Sequence, residues 1–518
     1  MLTFFKNHRD QVLLAMLSGL LLWLAFPKLN QSYLAWCALV PMLMALRDAD
    51  GRTGLKLGFV TGLVQYLGLM YWTAYTMTVY GKVPLVTSLG ALLLLSAILG
   101  TYTALFGLGV SLLCARPWRL AVGGPLIWVL LEWLRGWLFT GFPWELLGYS
   151  QYTHLGLIQI SDLFGVPGVS ALIAAVNVIL ALAVLHWRRW PWQRYPVSRS
   201  LMVRAATAVA VLLVATLAYG AYRIHATDQA VAKAPTTQVA VIQGNVDQDH
   251  KWDEAFQLGT TVKYKDLSLL AAQKGVDLVV WPETATPFYM FYERELTDIV
   301  LSCIRQANTF FIIGSPSAEP VGKNYLYYNS AYLFSPQAKV VDRYDKVHLV
   351  PFGEYVPLKR WLPFLGKMVE QVGDFTPGRQ GNVLKWHTAP VGMLVCYEAI
   401  FPDLARAMVN NGAQLLINIT NDAWFGRTSA AYQHFSMAVF RCVENRRSMA
   451  RAANTGISGF IDPCGRIISQ TPLYEDLAPV GKVALLTERT LYTCWGDWPL
   501  AGVCLFAAVV LGVMRFKA

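Results

Sequence analysis

This chain is short of charge. Asp, Glu, Lys and Arg make up 14% of its 518 residues, where soluble domains carry about a quarter, and that deficit excludes a protein that is soluble along its whole length. Acids are the scarcer sign, 32 against 43 Lys and Arg, which leaves a net charge of +11. Cysteine is sparse too: the eight present have no paired spacing, which excludes a disulfide framework or a zinc site. Nucleotide, metal and nucleic-acid motifs are missing as well, so neither cofactor nor metal is expected and no nucleic-acid partner. Much of the basic excess lies in short loops beside apolar runs, where anionic membrane lipids are the natural partner.

What the chain does have is hydrophobicity, 55% of residues, with a mean hydropathy of +0.40. The apolar runs are Gln11–Phe26, Tyr33–Leu46, Leu55–Tyr80, Pro84–Cys114, Leu120–Phe139, Leu155–Trp187, Leu201–Tyr222 and Trp498–Met514. A helix needs about 20 apolar residues to cross a bilayer, and most of these runs qualify. The second is short, and the sixth contains Gly165 and Pro167. The first lacks a small-residue cleavage site and reads as a retained helix rather than a signal peptide. About eight transmembrane helices are therefore expected, seven in a membrane domain over 1–222 and one in 495–518. Basic residues cluster in alternate loops: Lys6 and Arg9; Arg47, Arg52 and Lys56; Arg116 and Arg119; Arg188, Arg189, Arg194 and Arg199; Arg515 and Lys517. By the positive-inside rule both termini are cytoplasmic and the 235–488 region lies outside the cytoplasm.

That region alternates short strands with helical patterns, which reads as α/β. Strands are expected at Gln238–Val246, Asp277–Trp281, Phe310–Ser315, Tyr328–Phe334, Val340–Val350, Val391–Cys396, Gln414–Thr420, Ile457–Ile461 and Lys482–Leu486. Helices are expected at Trp252–Gln273, Glu293–Gln306, Asp403–Asn411 and Ala430–Ala453. Three strands end on residues with chemistry. GMLVCYEAIFPD (Gly392–Asp403) delivers Cys396 where a strand stops before a probable helix, a field that favours thiolate. Alone, this fits a buried structural cysteine equally well. VVWPETATP (Val279–Pro287) ends on Glu283, and RYDKVHLVPFGEYVP (Arg343–Pro357) carries Lys346 and then Glu354. An acid, a lysine and a thiol at strand ends make a general base, an oxyanion stabiliser and a nucleophile.

The set WPETA, DKVHLVPFGEYVP and VCYE resembles the Glu-Lys-Cys signature of the nitrilase (carbon–nitrogen hydrolase) superfamily over about Gln238 to Glu488. With NDAWFG (Asn421–Gly426) and the flanking apolar spans, it resembles the membrane branch of that superfamily, the apolipoprotein N-acyltransferases. The resemblance implies an αββα sandwich for the soluble domain. It implies Glu283, Lys346 and Cys396 as catalytic residues and Glu354 as the partner that orients Lys346. It also implies supporting or substrate-binding places for Tyr397 (through its backbone N–H), Glu398, Asn329, Trp252 and Trp424. Asn245 and His434 read as structural. The implied reaction takes an acyl chain from a phospholipid, holds it as a thioester on Cys396 and passes it to the α-amine of a diacylglyceryl-cysteine apolipoprotein. The implied location is a bacterial inner membrane with the catalytic domain periplasmic. A membrane-tethered amidase using water, and a non-catalytic receptor or transporter, are the competing readings. Apolar WLPFLGKMVEQVGDF (Trp361–Phe375) is a candidate lid for a lipid substrate.

Overall fold

The computed structural model describes residues 8–249, 251–356 and 375–516. The candidate lid lies outside the described residues except for Phe375, as do Lys6 and Lys517. The chain divides into two compact units: Met1–His225 with Thr428–Phe440 and Trp495–Ala518, and Ala226–Arg427 with Arg441–Cys494.

The first unit is helical: α1 (Arg9–Leu24), α2 (Val40–Ala45), α3 (Gly51–Leu69), α4 (Tyr71–Val79), α5 (Leu85–Leu113), α6 (Pro117–Trp137), α7 (Leu155–Ile158), α8 (Ser161–Arg188) and most of α9 (Arg199–Lys233), with Trp498–Phe516 closing it. Among the described residues α5, α8 and α9 are long and apolar enough to cross a membrane. Three expected spans are interrupted. Tyr33–Leu46 is a single 3-10 turn, Ser32–Trp36, followed by the six-residue α2, because Pro41 in the first turn of α2 starts a helix and cannot continue one. The backbone of this broken stretch is satisfied by Asn177 of α8, which accepts from the Leu39 N–H and donates to the Ala35 carbonyl, both at 2.8 Å. Leu55–Tyr80 divides at Met70 into α3 and α4. Leu155–Trp187 divides into α7 and α8, and Gly165 inside α8 has φ 64 and ψ −169, outside helical geometry.

The helices bury small polar residues and glycines and leave many large apolar ones exposed. Along α5, Ser88, Ser96, Gly100, Thr103, Gly107 and Ser111 are buried, whereas Val86, Leu89, Leu93 and Leu94 are exposed. The buried stripe meets Gly54, Gly58 and Gly62 of α3. A β-carbon on Gly58 would stand 2.3 Å from the Thr103 carbonyl, and one on Gly107 2.2 Å from the Gly54 carbonyl. Glycine is required there because the two backbones touch.

The second unit holds two six-stranded sheets. The strands are β1 (Thr236–Val241), β2 (Leu278–Val280), β3 (Phe310–Val321), β4 (Asn324–Phe334), β5 (Val340–Asp345), β6 (Val383–Leu384), β7 (Val391–Val395), β8 (Leu415–Thr420), β9 (Ser448–Ala453), β10 (Gly459–Ile461), β11 (Ile467–Gln470) and β12 (Val480–Ala484). The first sheet runs β12-β1-β2-β3-β4-β5 and the second β11-β10-β9-β8-β7-β6. Each has a parallel trio, β1-β2-β3 or β7-β8-β9, flanked by antiparallel edges. Strands β2, β7, β8 and β9 are buried at every residue, as parallel strands covered on both faces must be. Helices α10 (Glu254–Ala272) and α11 (Arg294–Ala307) cover the first sheet through a core of Tyr264, Trp281, Val300, Cys303, Phe311 and Ile313. Helix α12 (Pro402–Asn410) follows β7 in the second sheet.

One expected helix is shorter than its pattern. Ala430–Ala453 is helical only to Asn445; Arg446 has φ 50, and Ser448–Ala453 is β9. The charged run there, Arg441, Glu444, Arg446, Arg447 and Arg451, is fully buried. Each charge is held: Arg441 pairs with Glu444 and Arg451 with Asp422, both at 2.8 Å, Arg446 donates to the Pro463 carbonyl at 3.2 Å, and Arg447 donates to the Ala413 and Glu488 carbonyls at 2.7 Å. Strands β6 and β11 were not foreseen either; two and four residues are too few to show a period.

Candidate active site

Carboxyl ends of parallel strands in both sheets supply the site, where α/β folds place their ligands. Glu283 lies three residues past β2, Cys396 directly past β7, Asn421 directly past β8 and Asn454 directly past β9. Lys346 comes from the first sheet's edge, one residue beyond β5, and Asn329 from β4. Gly314 gives Glu283 room, since a β-carbon on it would meet the Pro282 carbonyl at 2.2 Å.

Glu283 is buried, with each carboxylate oxygen engaged. Its Oε1 accepts from Asn329 Nδ2 at 2.8 Å and Lys346 Nζ at 3.3 Å, and its Oε2 from the Asn421 N–H at 3.0 Å. Burial alone would raise its pKa, but the Lys346 ammonium and the Asn329 amide hold it below the ordinary carboxylate value. Lys346 is 1% exposed and also contacts Glu354 at 2.9 and 3.0 Å. Burial opposes its charge, yet Glu283 and then Glu354 raise its pKa well above that of a free lysine, so it stays an ammonium. Glu354 is fixed in turn by Asn329 Nδ2 and the Val350 N–H, each at 2.8 Å. Asn329 therefore clamps both carboxylates around one ammonium.

Cys396 opens a 3-10 turn, Cys396–Ile400, with φ 54. A non-glycine residue in the left-handed region costs about 1–3 kcal/mol and marks a residue placed by its surroundings. The thiol lies within the electrostatic reach of the Glu283 carboxylate, and each shifts the other's acidity. Its acidity differs from the expected thiolate: burial first, then the Glu283 charge, push the pKa up, and Lys346 offsets only part of this. The α-helix that was to favour the thiolate starts only at Pro402, six residues on. The resting group is a thiol, and its nucleophilicity depends on a base at the moment of attack.

Glu398 sits at the hub of a hydrogen-bond network. Its Oε1 accepts from the N–H groups of Val347 (2.6 Å) and His348 (3.1 Å), its Oε2 from the Val395 N–H (2.7 Å), and Tyr344 Oη donates to both oxygens. It ties the strand before Cys396 to the residues after Lys346. Burial raises its carboxyl to about 7 against the pull of these N–H groups. The Tyr397 ring packs edge-on against Phe401 at 5.0 Å. Trp252 and Trp424 are 50% and 42% exposed, at the surface rather than within the buried cluster. Asn245, with φ 49, donates its N–H to the Asn454 carbonyl, a fold-holding contact. In the helical unit His434 is buried and stacks on Trp144.

Sequence reasoning kept Lys251 with Trp252 as an element of the resemblance but gave it no role. It is 2% exposed and donates through Nζ to the Glu283 carbonyl oxygen at 3.3 Å. Burial lowers its pKa to about 8, offset in part by Glu283 and Cys396. It precedes an expected helix in a basic chain, with no strand end to flag it.

A buried thiol, carboxylate and ammonium drawn from two sheets define a thiol-dependent site of the carbon–nitrogen hydrolase class, and residues 238–481 match the carbon–nitrogen hydrolase family. Residues 18–179 match the apolipoprotein N-acyltransferase N-terminal domain. The chain is 45% identical to the apolipoprotein N-acyltransferase of Geobacter metallireducens, covering 98% of this chain and 96% of that one. The protein of that name from Methylococcus capsulatus is 34% identical over 95% and 94%, and that from Chlorobaculum tepidum 30% over 97% and 96%. The chain belongs to the apolipoprotein N-acyltransferase family, as its motifs suggested, and is an acyltransferase.

Proposed function

We propose that the protein N-acylates lipoproteins in two half-reactions through Cys396. Glu283 takes the thiol proton and the thiolate attacks the ester carbonyl of a phospholipid. Lys346 and the Tyr397 N–H hold the oxyanion, and Glu283 returns the proton to the departing lysophospholipid. The thioester left on Cys396 is less resonance-stabilised than the ester it replaced. The α-amine of a diacylglyceryl-cysteine apolipoprotein attacks it, giving the amide and the free thiol. Asn329 and Glu354 hold Glu283 and Lys346 in register, Glu398 fixes the nucleophile's strand, and Trp252 and Trp424 receive substrate at the surface.

The observation that carries this reading is a buried Glu283 paired with Lys346 and coupled electrostatically to the Cys396 thiol. A thiol whose pKa is raised needs that base, and the base is kept ionised by that cation. The run of basic loops supports a multi-pass inner-membrane protein with seven spans over 1–222, a periplasmic domain over 235–488, a last span in 495–518 and both termini cytoplasmic.

The test is mass spectrometry of the purified protein after incubation with phospholipid alone. An acyl adduct on Cys396 is expected, absent from Cys396→Ala and discharged onto an amine-bearing lipopeptide. Release of fatty acid in place of transfer would make the protein an amidase-like hydrolase. An adduct persisting in Cys396→Ala would overturn the nucleophile.

A further inference from the structure

Two arginines stand at the wrong end of a helix. The amino end of α6 is the positive pole of the helix dipole, which favours anions, yet its first turn holds no acid. Arg116 precedes that turn without capping it through its side chain, and Arg119 lies within it. Arg119 is only 6% exposed, and its Nε has no hydrogen-bond partner. Its described contacts are the Met514 carbonyl at 3.4 Å and the Trp118 ring centroid at 5.6 Å, neither of which carries a charge. Among the described residues no acid pairs with Arg116, Arg119 or Arg188. A buried cation without a counter-ion is costly, so an anion belongs beside it. We infer that this end of the helical unit binds the headgroup of an anionic phospholipid, with Arg119 and Arg116 holding its phosphate. The inference rests on the helical unit lying in a membrane. It is independent of acyl transfer, since none of these residues has a part in the reaction proposed above.

The surroundings suit a headgroup. Between α8 and α9 the chain makes a loop whose centre, Trp192, is fully buried and donates Nε1 to the Cys114 carbonyl at 2.7 Å. The next residue, Gln193, donates its N–H to the Arg47 carbonyl at 2.8 Å. Three connections, 46–50, 114–116 and 189–198, are thereby drawn together, and their cations converge on aromatic rings. Arg116 lies over Tyr195 at 5.3 Å, while Arg47 and Arg188 share the Trp190 ring at 4.7 and 5.8 Å. A guanidinium stacked by its face keeps its edge N–H groups for a phosphate, which it grips with two parallel bonds. Asp48, paired with Arg47 at 2.7 Å, is the one acid that these cations engage among the described residues.

Exposed indoles make a lipid the occupant rather than free phosphate. Trp187 is 75% exposed and Trp190 43%. An indole is apolar over its body and donates a hydrogen bond at its edge, which places it at headgroup level in a bilayer.

The test titrates phosphatidylglycerol into full-length protein in phosphatidylcholine nanodiscs and counts bound lipid by native mass spectrometry. Wild type is expected to retain phosphatidylglycerol in preference to phosphatidylcholine. Losing a charge-assisted hydrogen bond weakens binding by about tenfold or more. Arg119→Met is expected to lower the affinity by that factor, and Arg116→Gln to lower it further. Arg204→Gln removes one exposed charge from the same unit and is expected to leave the affinity unchanged. Equal losses in Arg204→Gln and Arg119→Met would mean diffuse attraction to a basic surface and would overturn the site, as would a wild type without preference. Inorganic phosphate binding as tightly as phosphatidylglycerol would overturn the lipid assignment. Thermal unfolding in phosphatidylcholine alone guards against misfolding. With no anion present the Arg119 charge is a burden, so Arg119→Met is expected to melt no lower than wild type. A large drop there would reveal a protein partner for Arg119 and overturn the inference.

Discussion

The helical unit and the hydrolase unit are built by opposite rules of exposure. In the first, serines, threonines and glycines lie inside beside some of the leucines, while many large apolar residues face out: Val86 is 83% exposed and Leu94 62%. In the second, whole strands such as Leu415–Thr420 are buried. The hydrophobic effect is the same in both, but the surroundings differ. A surface of leucines suits hydrocarbon, where helices associate by close packing rather than by hiding apolar area. The hydrolase unit adds a second difference, for it buries full charges. Some hold the architecture, as Arg451 and Asp422 do, and some are the residues proposed above for chemistry, Lys346 and Glu283.

That contrast is open to attack by substitution. The largest effect belongs to the buried architectural pair. Asp422→Ala strands the Arg451 charge and is expected to destabilise the hydrolase unit by about 3–5 kcal/mol. Asp228→Ala opposite Arg466, a pair 46% and 33% exposed, is expected to cost only about 0–1 kcal/mol. Denaturant unfolding in detergent measures both, and equal costs would erase the distinction between buried and surface charge.

Next comes the charge proposed for chemistry. Lys346→Met is expected to raise the barrier to adduct formation by about 2.7–4 kcal/mol, the usual scale for one oxyanion donor. Single-turnover kinetics read it, and an unaltered rate would make Lys346 a purely structural partner of the two glutamates.

The smallest effects lie in the helical unit. Gly58→Val forces α3 off α5 and is expected to cost about 1–3 kcal/mol. Gly90→Ala, whose β-carbon would meet nothing within 4 Å, is expected to gain about 0.5–1 kcal/mol. Unfolding in mixed micelles checks both signs.

The sequence was most legible where a strand ended on a reactive residue. Glu283, Lys346 and Cys396 are dispersed in the chain, yet each stands at or just beyond a strand's carboxyl end, and the structure brings them together. Hydropathy located the apolar runs, and Gly165 marked an irregularity in the sixth, but the break at Met70 was hidden because that residue is as apolar as its neighbours. Strand β9 was hidden for the opposite reason. SMARAA carries an arginine and helix-forming alanines, and only tertiary partners such as Asp422 allow that arginine inside. Lys251 was given no role because its contact is with Glu283, 32 positions away. The acidity of Cys396 escaped because burial, which no local pattern reports, outweighs the field of a nearby helix.

The glycine seam between α3 and α5 has a consequence for traffic. A seam in which one helix's backbone carbonyl lies where the other would put a β-carbon has no width for an acyl tail. Lipids are thus refused along that whole line, from Gly54 against Gly107 to Gly62 against Gly100. The pair works as a bulkhead, and any lipid that reaches the protein's interior has to pass through some other wall of the bundle.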